Sequence, residues 1–143
     1  ILSFGCIKNG GMSAEAILVF SDELAETLPV RRKRAGMMPS KGRFAAAQVL
    51  ALVESGAWLD NARAANAGAQ RLARAAPSRL IHPVEANALF LRLHAAERAG
   101  LRDAGFAFYD WELDGPDAAR FVVRWDQEPA AIDALARALA RLP

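Results

Sequence analysis

One lysine stands in the run Leu2-Ser3-Phe4-Gly5-Cys6-Ile7-Lys8-Asn9-Gly10-Gly11. A short apolar strand here delivers a single amine to a turn flanked by glycines. Burial disfavours an ammonium ion, and a neutral amine attacks a carbonyl to form a Schiff base. The expectation is therefore that Lys8 is held at the turn and partly desolvated. Taken alone, a lysine beside a turn is more simply a solvated charge. A second set of candidates lies in Arg120-Phe121-Val122-Val123-Arg124-Trp125-Asp126. Period-two alternation puts Arg120 and Arg124 on one strand face with Val122 between them. A planar guanidinium can meet a carboxylate with two parallel hydrogen bonds. By themselves these two read as solvated arginines of an edge strand.

The other chemical side chains carry less. Arg31-Arg32-Lys33-Arg34 and Ser40-Lys41-Gly42-Arg43 read as solvated basic segments after Pro29. A nucleic-acid patch is the sharper alternative for Arg31–Arg34. The formal charge of +2 and the lack of an aromatic platform argue against it. His82 precedes Pro83 and His94 opens a helix, and neither has a partner at metal-ligand spacing, so no metal site is expected. Ser3 lacks the Gly-x-Ser-x-Gly context of a nucleophile elbow. Cys6, the one cysteine, reads as a small packing residue and forms no internal disulfide, so a reducing cytoplasm is the default.

These residues must be positioned by elements that a chain of 143 residues can build around a real core. Residues 1–5 and 15–20 read as two short buried strands joined by the Lys8 turn. Ser21 or Asp22 can cap a helix that Pro29 should kink or break. Ser40 caps a helix to about Ser55, with Gly56 as its stop signal. Trp58, Ala62, Ala65, Ala69, Leu72 and Ala76 keep helical spacing up to Pro77. Arg79–Ile81, Asn87–Leu93, Phe106–Trp111 and Ala119–Trp125 read as strands, with a short helix near 95–103. A last helix starts near 129, where Ile132, Leu135, Ala136 and Leu139 share a face. This order predicts an α/β chain with a sheet of at least three strands covered by helices. The expected division is 1–56 and 57–143, with the helix over 57–76 as the link. No window is apolar enough for a membrane span, and no membrane or nucleic-acid partner is expected. The chain opens at Ile1 inside an apolar strand, so the expectation is the C-terminal part of a longer protein, or a truncated product.

Ser-Phe-Gly-x-x-Lys-Asn-Gly, followed by Glu15-Ala16 and an apolar run to Phe20, resembles the Schiff-base segment of the low-specificity L-threonine aldolases. These belong to the threonine aldolase and β-eliminating lyase family of fold-type-I pyridoxal phosphate enzymes. Arg31–Gly36 and Ser40–Phe44 look like the family's basic segment. Pro83-x-x-x-Asn87-x-x-Phe90 and Arg120–Asp126 are similar to two later ones. The resemblance covers nearly the whole chain.

The resemblance implies that residues 1–56 end a pyridoxal phosphate-binding large domain. Residues 57–143 would form a small α+β domain with a short, mostly antiparallel sheet. It implies that Lys8 carries pyridoxal phosphate as its Schiff-base lysine and that Lys33 and Lys41 face the cofactor phosphate or a neighbouring subunit. Arg120 is the implied clamp for the carboxylate of an amino-acid substrate, with Arg124 as the competing candidate. The implied reaction cleaves threonine or a related β-hydroxy-α-amino acid to glycine and an aldehyde, in a cytoplasmic homo-oligomer. A β-eliminating lyase and a truncated, non-catalytic fragment are the alternatives. Cys6 and Ile7 depart from the small or hydroxyl residues common in the family. The family's phosphate loop and ring-pairing aspartate precede its lysine and are not in this sequence.

Overall fold

Leu89, Leu91 and Leu93 alternate with more exposed neighbours, and all three are fully buried in the computed structural model, which describes residues 1–143. Contacts divide the chain into two units, Ile1–Asn61 and Ala62–Pro143, and the division falls inside the helix Ala57–Ala75.

In the first unit, β1 (Leu2–Gly5) and β2 (Glu15–Leu18) pair antiparallel, with Phe4 opposite Ala16. A 3₁₀ turn at Ile7–Asn9 connects them. Helices α1 (Asp22–Arg34), α2 (Gly42–Glu54) and the first turn of α3 (Ala57–Ala75) follow. Both strands are largely exposed, which corrects the expectation of buried strands: only Cys6 and Ala14 are buried in this unit. A two-stranded ribbon offers too little area to bury both of its faces. Pro29 neither breaks nor ends α1. The carbonyl it cannot bond, that of Ala25, lies on an exposed stretch where water can serve it. The basic run closes α1 instead of following it, where its charge complements the helix dipole. The residue preceding α2 is Lys41, not Ser40, and no side chain caps its first turn.

The second unit has its own core. β3 (Ala88–Arg92), β4 (Tyr109–Asp110) and β5 (Ala118–Val122) form an antiparallel sheet with β5 in the middle. Leu89 and Leu91 pair with Phe121 and Ala119, and Val123 extends the same buried face. Against that face packs the stripe Ala69, Leu72 and Ala73 of α3, continued by Ala76 just past its end, at the spacing of one helical face. Leu101 of α4 (Ala95–Asp103) and Leu139 of α5 (Pro129–Ala140) join the same cluster. A side chain at Gly68 would put its Cβ 2.8 Å from Val123 Cγ1 and 2.9 Å from Ile132 Cδ1, so glycine permits the approach.

Two expected strands shrink. Residues 79–81 give a 3₁₀ turn, Pro77–Arg79, and a single bridge from Leu80 to Leu91. The Arg79 guanidinium is drawn into a bidentate pair with Glu97, at 3.0 and 2.7 Å. Only two residues of 106–111 pair as strand, at the sheet edge, where one neighbour supplies all the hydrogen bonds.

Candidate functional site

Lys8 sits in the 3₁₀ turn, and the backbone around it is closely held. The Asn9 and Gly11 amides both donate to the Cys6 carbonyl, at 3.0 and 2.8 Å. Asn9 Nδ2 donates to the Trp58 carbonyl at 2.9 Å, and Asn61 Nδ2 donates to the Asn9 carbonyl at 3.0 Å. Two amide side chains thus tie the turn to the start of α3. The Ile7 amide donates to Glu15 Oε1 at 3.2 Å and the Met12 amide to Gln48 Oε1 at 2.8 Å. Gly10 ends the turn at φ 102°, a region that disfavours side chains. Phe4 meets the Trp58 ring edge-on at 5.4 Å. Beside the turn lies a shallow, mainly apolar cleft of about 410 Å³, bordered by Gly10, Gly11, Met12, Gln48 and Leu52.

Lys8 itself is exposed, which corrects the expectation of partial desolvation. The turn closes a ribbon that no further strand covers. What this unit supplies is a fixed backbone under an accessible amine. Cys6, by contrast, is buried, and burial, with a smaller push from the Glu15 carboxylate, raises its thiol. It stays protonated and packs.

Arg120 occupies the central strand, opposite Phe90 of β3 on one side and Tyr109 of β4 on the other. Its residue is only partly exposed, and its Nε is buried without a hydrogen-bond partner. The guanidinium carbon lies 5.2 Å from the centre of the Trp111 ring. No carboxylate pairs with it. Arg124 differs on every count. It lies two residues beyond β5, is exposed, and closes a bidentate pair with Asp126 at 2.9 and 2.5 Å. That pair raises Arg124 and lowers Asp126, in both cases chiefly through the hydrogen bond between them. The two arginines that alternation links are therefore in different states: one fork is open and one is filled.

Lys33 lies in the last turn of α1 and Lys41 just before α2, and both are exposed. Their neighbour Arg32 donates to the Met37 carbonyl at 2.8 Å.

Sequence reasoning did not find the surroundings of Arg120. Trp111 meets the Phe90 ring at 5.3 Å, and Phe90 meets the His82 ring at 5.4 Å. His82 Nε2 lies 2.9 Å from Asp114 Oδ2. The available signal was an aromatic at Trp111 directly after a strand and before the Asp114-Gly115-Pro116 turn. His94 is likewise structural: its amide donates to Glu97 Oε2 at 2.8 Å, closing the first turn of α4.

No family model matches the sequence. Two curated proteins described as low specificity L-threonine aldolase do. One, from a Pseudomonas species, is 41% identical over 140 residues, covering 95% of this chain and 40% of its own length. The other, from Pseudomonas aeruginosa, is 40% identical over 141 residues, covering 96% of this chain and 40% of its own length. The chain thus spans about two fifths of the length of the curated relatives it matches. Among solved structures, a threonine aldolase from Leishmania major superposes with a TM-score of 0.87 at 26% identity, covering 97% of this chain and 42% of that one. Over nearly its whole length, in sequence and in fold, this chain is similar to threonine aldolases, of whose length it spans about two fifths.

Proposed function

We propose that these residues are the C-terminal part of a pyridoxal phosphate-dependent aldolase that cleaves L-threonine or related β-hydroxy-α-amino acids to glycine and an aldehyde. The observation that carries this is the open fork of Arg120: a partly buried guanidinium that no carboxylate of this chain occupies, in a segment similar to threonine aldolases. Such a group is poised for a carboxylate that arrives from outside the chain. Lys8 fits the cofactor because its amine is accessible and its backbone is fixed from both sides. When bound, the cofactor supplies an electron sink for the bond between Cα and Cβ. Arg120 holds the substrate carboxylate, while the exposed cations Lys33 and Lys41 serve the cofactor phosphate. No residue of this chain is assigned the base that takes the β-hydroxyl proton.

The complete enzyme is proposed to be a cytoplasmic homo-oligomer, and the 143 residues alone to be inactive or nearly so. No helix is long and apolar enough to cross a membrane. Association is supported by α2, a mainly apolar helix whose Phe44, Leu50 and Val53 are exposed.

Two experiments test the reading in a longer protein that carries this chain. Borohydride reduction of the cofactor-loaded protein, followed by peptide mapping, should mark Lys8; a label on Lys33 or Lys41 overturns the assignment. Arg120→Ala should raise KM for threonine and cost about 2–5 kcal/mol in kcat/KM, as truncation of one partner of a desolvated charge pair does. Arg120→Lys should recover only part of that, lacking the planar fork. If Arg124→Ala is the damaging change and Arg120→Ala is close to wild type, the clamp reading is wrong.

A further inference from the structure

We propose that Trp111 is a positioning residue for Arg120, holding the guanidinium in place so that its hydrogen-bonding fork stays open. The inference rests on the reading of Arg120 as a carboxylate clamp. An arginine on a central strand needs something to hold its long side chain, since four rotatable bonds otherwise blur the position of the fork. The usual holder is a carboxylate, as Asp126 is for Arg124. A carboxylate would compete directly with an incoming one. An indole does not: its ring attracts the cation and excludes water while accepting none of the strong N–H···O bonds a substrate needs. Arg120 has that contact, with the guanidinium carbon 5.2 Å from the Trp111 ring centre, and its Nε makes no hydrogen bond.

The indole is itself fixed from two sides. The Trp111 amide donates to the Ala118 carbonyl at 2.9 Å, which ties it to the strand that carries Arg120. The Phe90 ring, on the residue paired with Arg120 across the sheet, packs against Trp111 at 5.3 Å. Behind Phe90, His82 reaches Asp114 at 2.9 Å, and the Asp114 amide donates to the Trp111 carbonyl at 3.2 Å. Trp111, Phe90, His82 and Asp114 therefore close a circuit that returns to Trp111. A ring anchored this way can order a side chain it touches.

The test is nuclear magnetic resonance of the arginine Nε–Hε groups in the 143-residue chain. In the wild type the Arg120 signal should be displaced by the indole ring current and show an order parameter near that of rigid backbone, about 0.85. In Trp111→Leu the displacement should vanish and the order parameter fall below about 0.6, while the β5 amides stay ordered. Trp111→Phe, which keeps an aromatic face, should recover part of the order. A glycine titration of the longer, cofactor-loaded protein, followed on the same signal, should need about three- to ten-fold more glycine in Trp111→Leu. Equal order in wild type and Trp111→Leu overturns the proposal. If the leucine variant does not fold, the wild-type signal decides: an undisplaced, mobile Arg120 overturns it as well. A wild-type Arg120 that is ordered by the indole but does not respond to glycine leaves Trp111 as its holder and refutes the clamp instead.

Discussion

The two units secure their candidate residues, Lys8 and Arg120, by different physics. Around Arg120, the strand sits on a core of Leu72, Leu89, Leu91, Leu93, Phe121 and Leu139, all nearly inaccessible to water. Around Lys8, only Cys6 and Ala14 are buried, and the turn is held by amide side chains and a glycine instead. Burial is non-directional and accumulates with area; a few hydrogen bonds are directional but individually modest. The sheet unit can thus lose a polar contact and keep its shape. The lysine turn depends on each one.

The strongest way to break this contrast is to cut the same kind of atoms from both units. Leu91→Ala should destabilise the second unit by about 2–5 kcal/mol, through lost burial and the cavity left behind. Leu50→Ala, on an exposed position of α2, should change stability by no more than about 0.5 kcal/mol. Urea denaturation monitored by near-ultraviolet circular dichroism compares them. Equal losses would mean that the first unit buries more than its structure indicates.

A smaller effect sharpens the description of the second unit, where one polar pair is half-buried. Burial pushes the Glu97 carboxyl up, but the hydrogen bonds from Arg79 and the His94 amide outweigh it and hold the group below its ordinary value. A lowered carboxylate contributes stability that is present above its ordinary value of 4.5 and lost as the pH falls through its folded value. Arg79→Met should cost about 3 kcal/mol at neutral pH, because Glu97 keeps its charge and loses its partner. It should also flatten the decline in urea midpoint below pH 4.5. An unchanged acid slope would remove Glu97 as its source.

The smallest expected effect falls on the lysine turn. Asn61→Ala removes the bond to the Asn9 carbonyl and should cost about 1 kcal/mol. Amide hydrogen exchange should accelerate at Asn9 and Gly11 while the β3 and β5 amides keep their protection. Acceleration spread evenly over both units would show that the turn is not held locally.

Much of this arrangement was legible in the sequence where local pattern and tertiary packing agree. The helix at 95–103 and the long helix before Pro77 follow from spacing and stop signals, and the alternation at Leu89–Leu93 marks the buried face of β3. Readings failed where a distant group decided the outcome. Residues 79–81 look like a strand until Glu97 captures Arg79. Pro29 looks like a helix stop until its lost bond proves to lie at an exposed carbonyl. The site divides in the same way. Lys8 and Arg120 stand out through short motifs. The circuit of His82, Phe90, Trp111 and Asp114 spans a wide stretch of sequence and has no local signature. Nor could alternation reveal that Arg124 has an internal counter-ion while Arg120 has none.

Cys6 gives the lysine turn a built-in clock. It is the one thiol in the chain, it is 1% exposed, and its raised thiol offers little thiolate to a reagent. Alkylation must therefore wait for the turn to open. At high reagent concentration the labelling rate becomes the opening rate, and at low concentration it reports the fraction of molecules open at any instant. Labelling of Cys6 thus times how often the backbone under Lys8 opens.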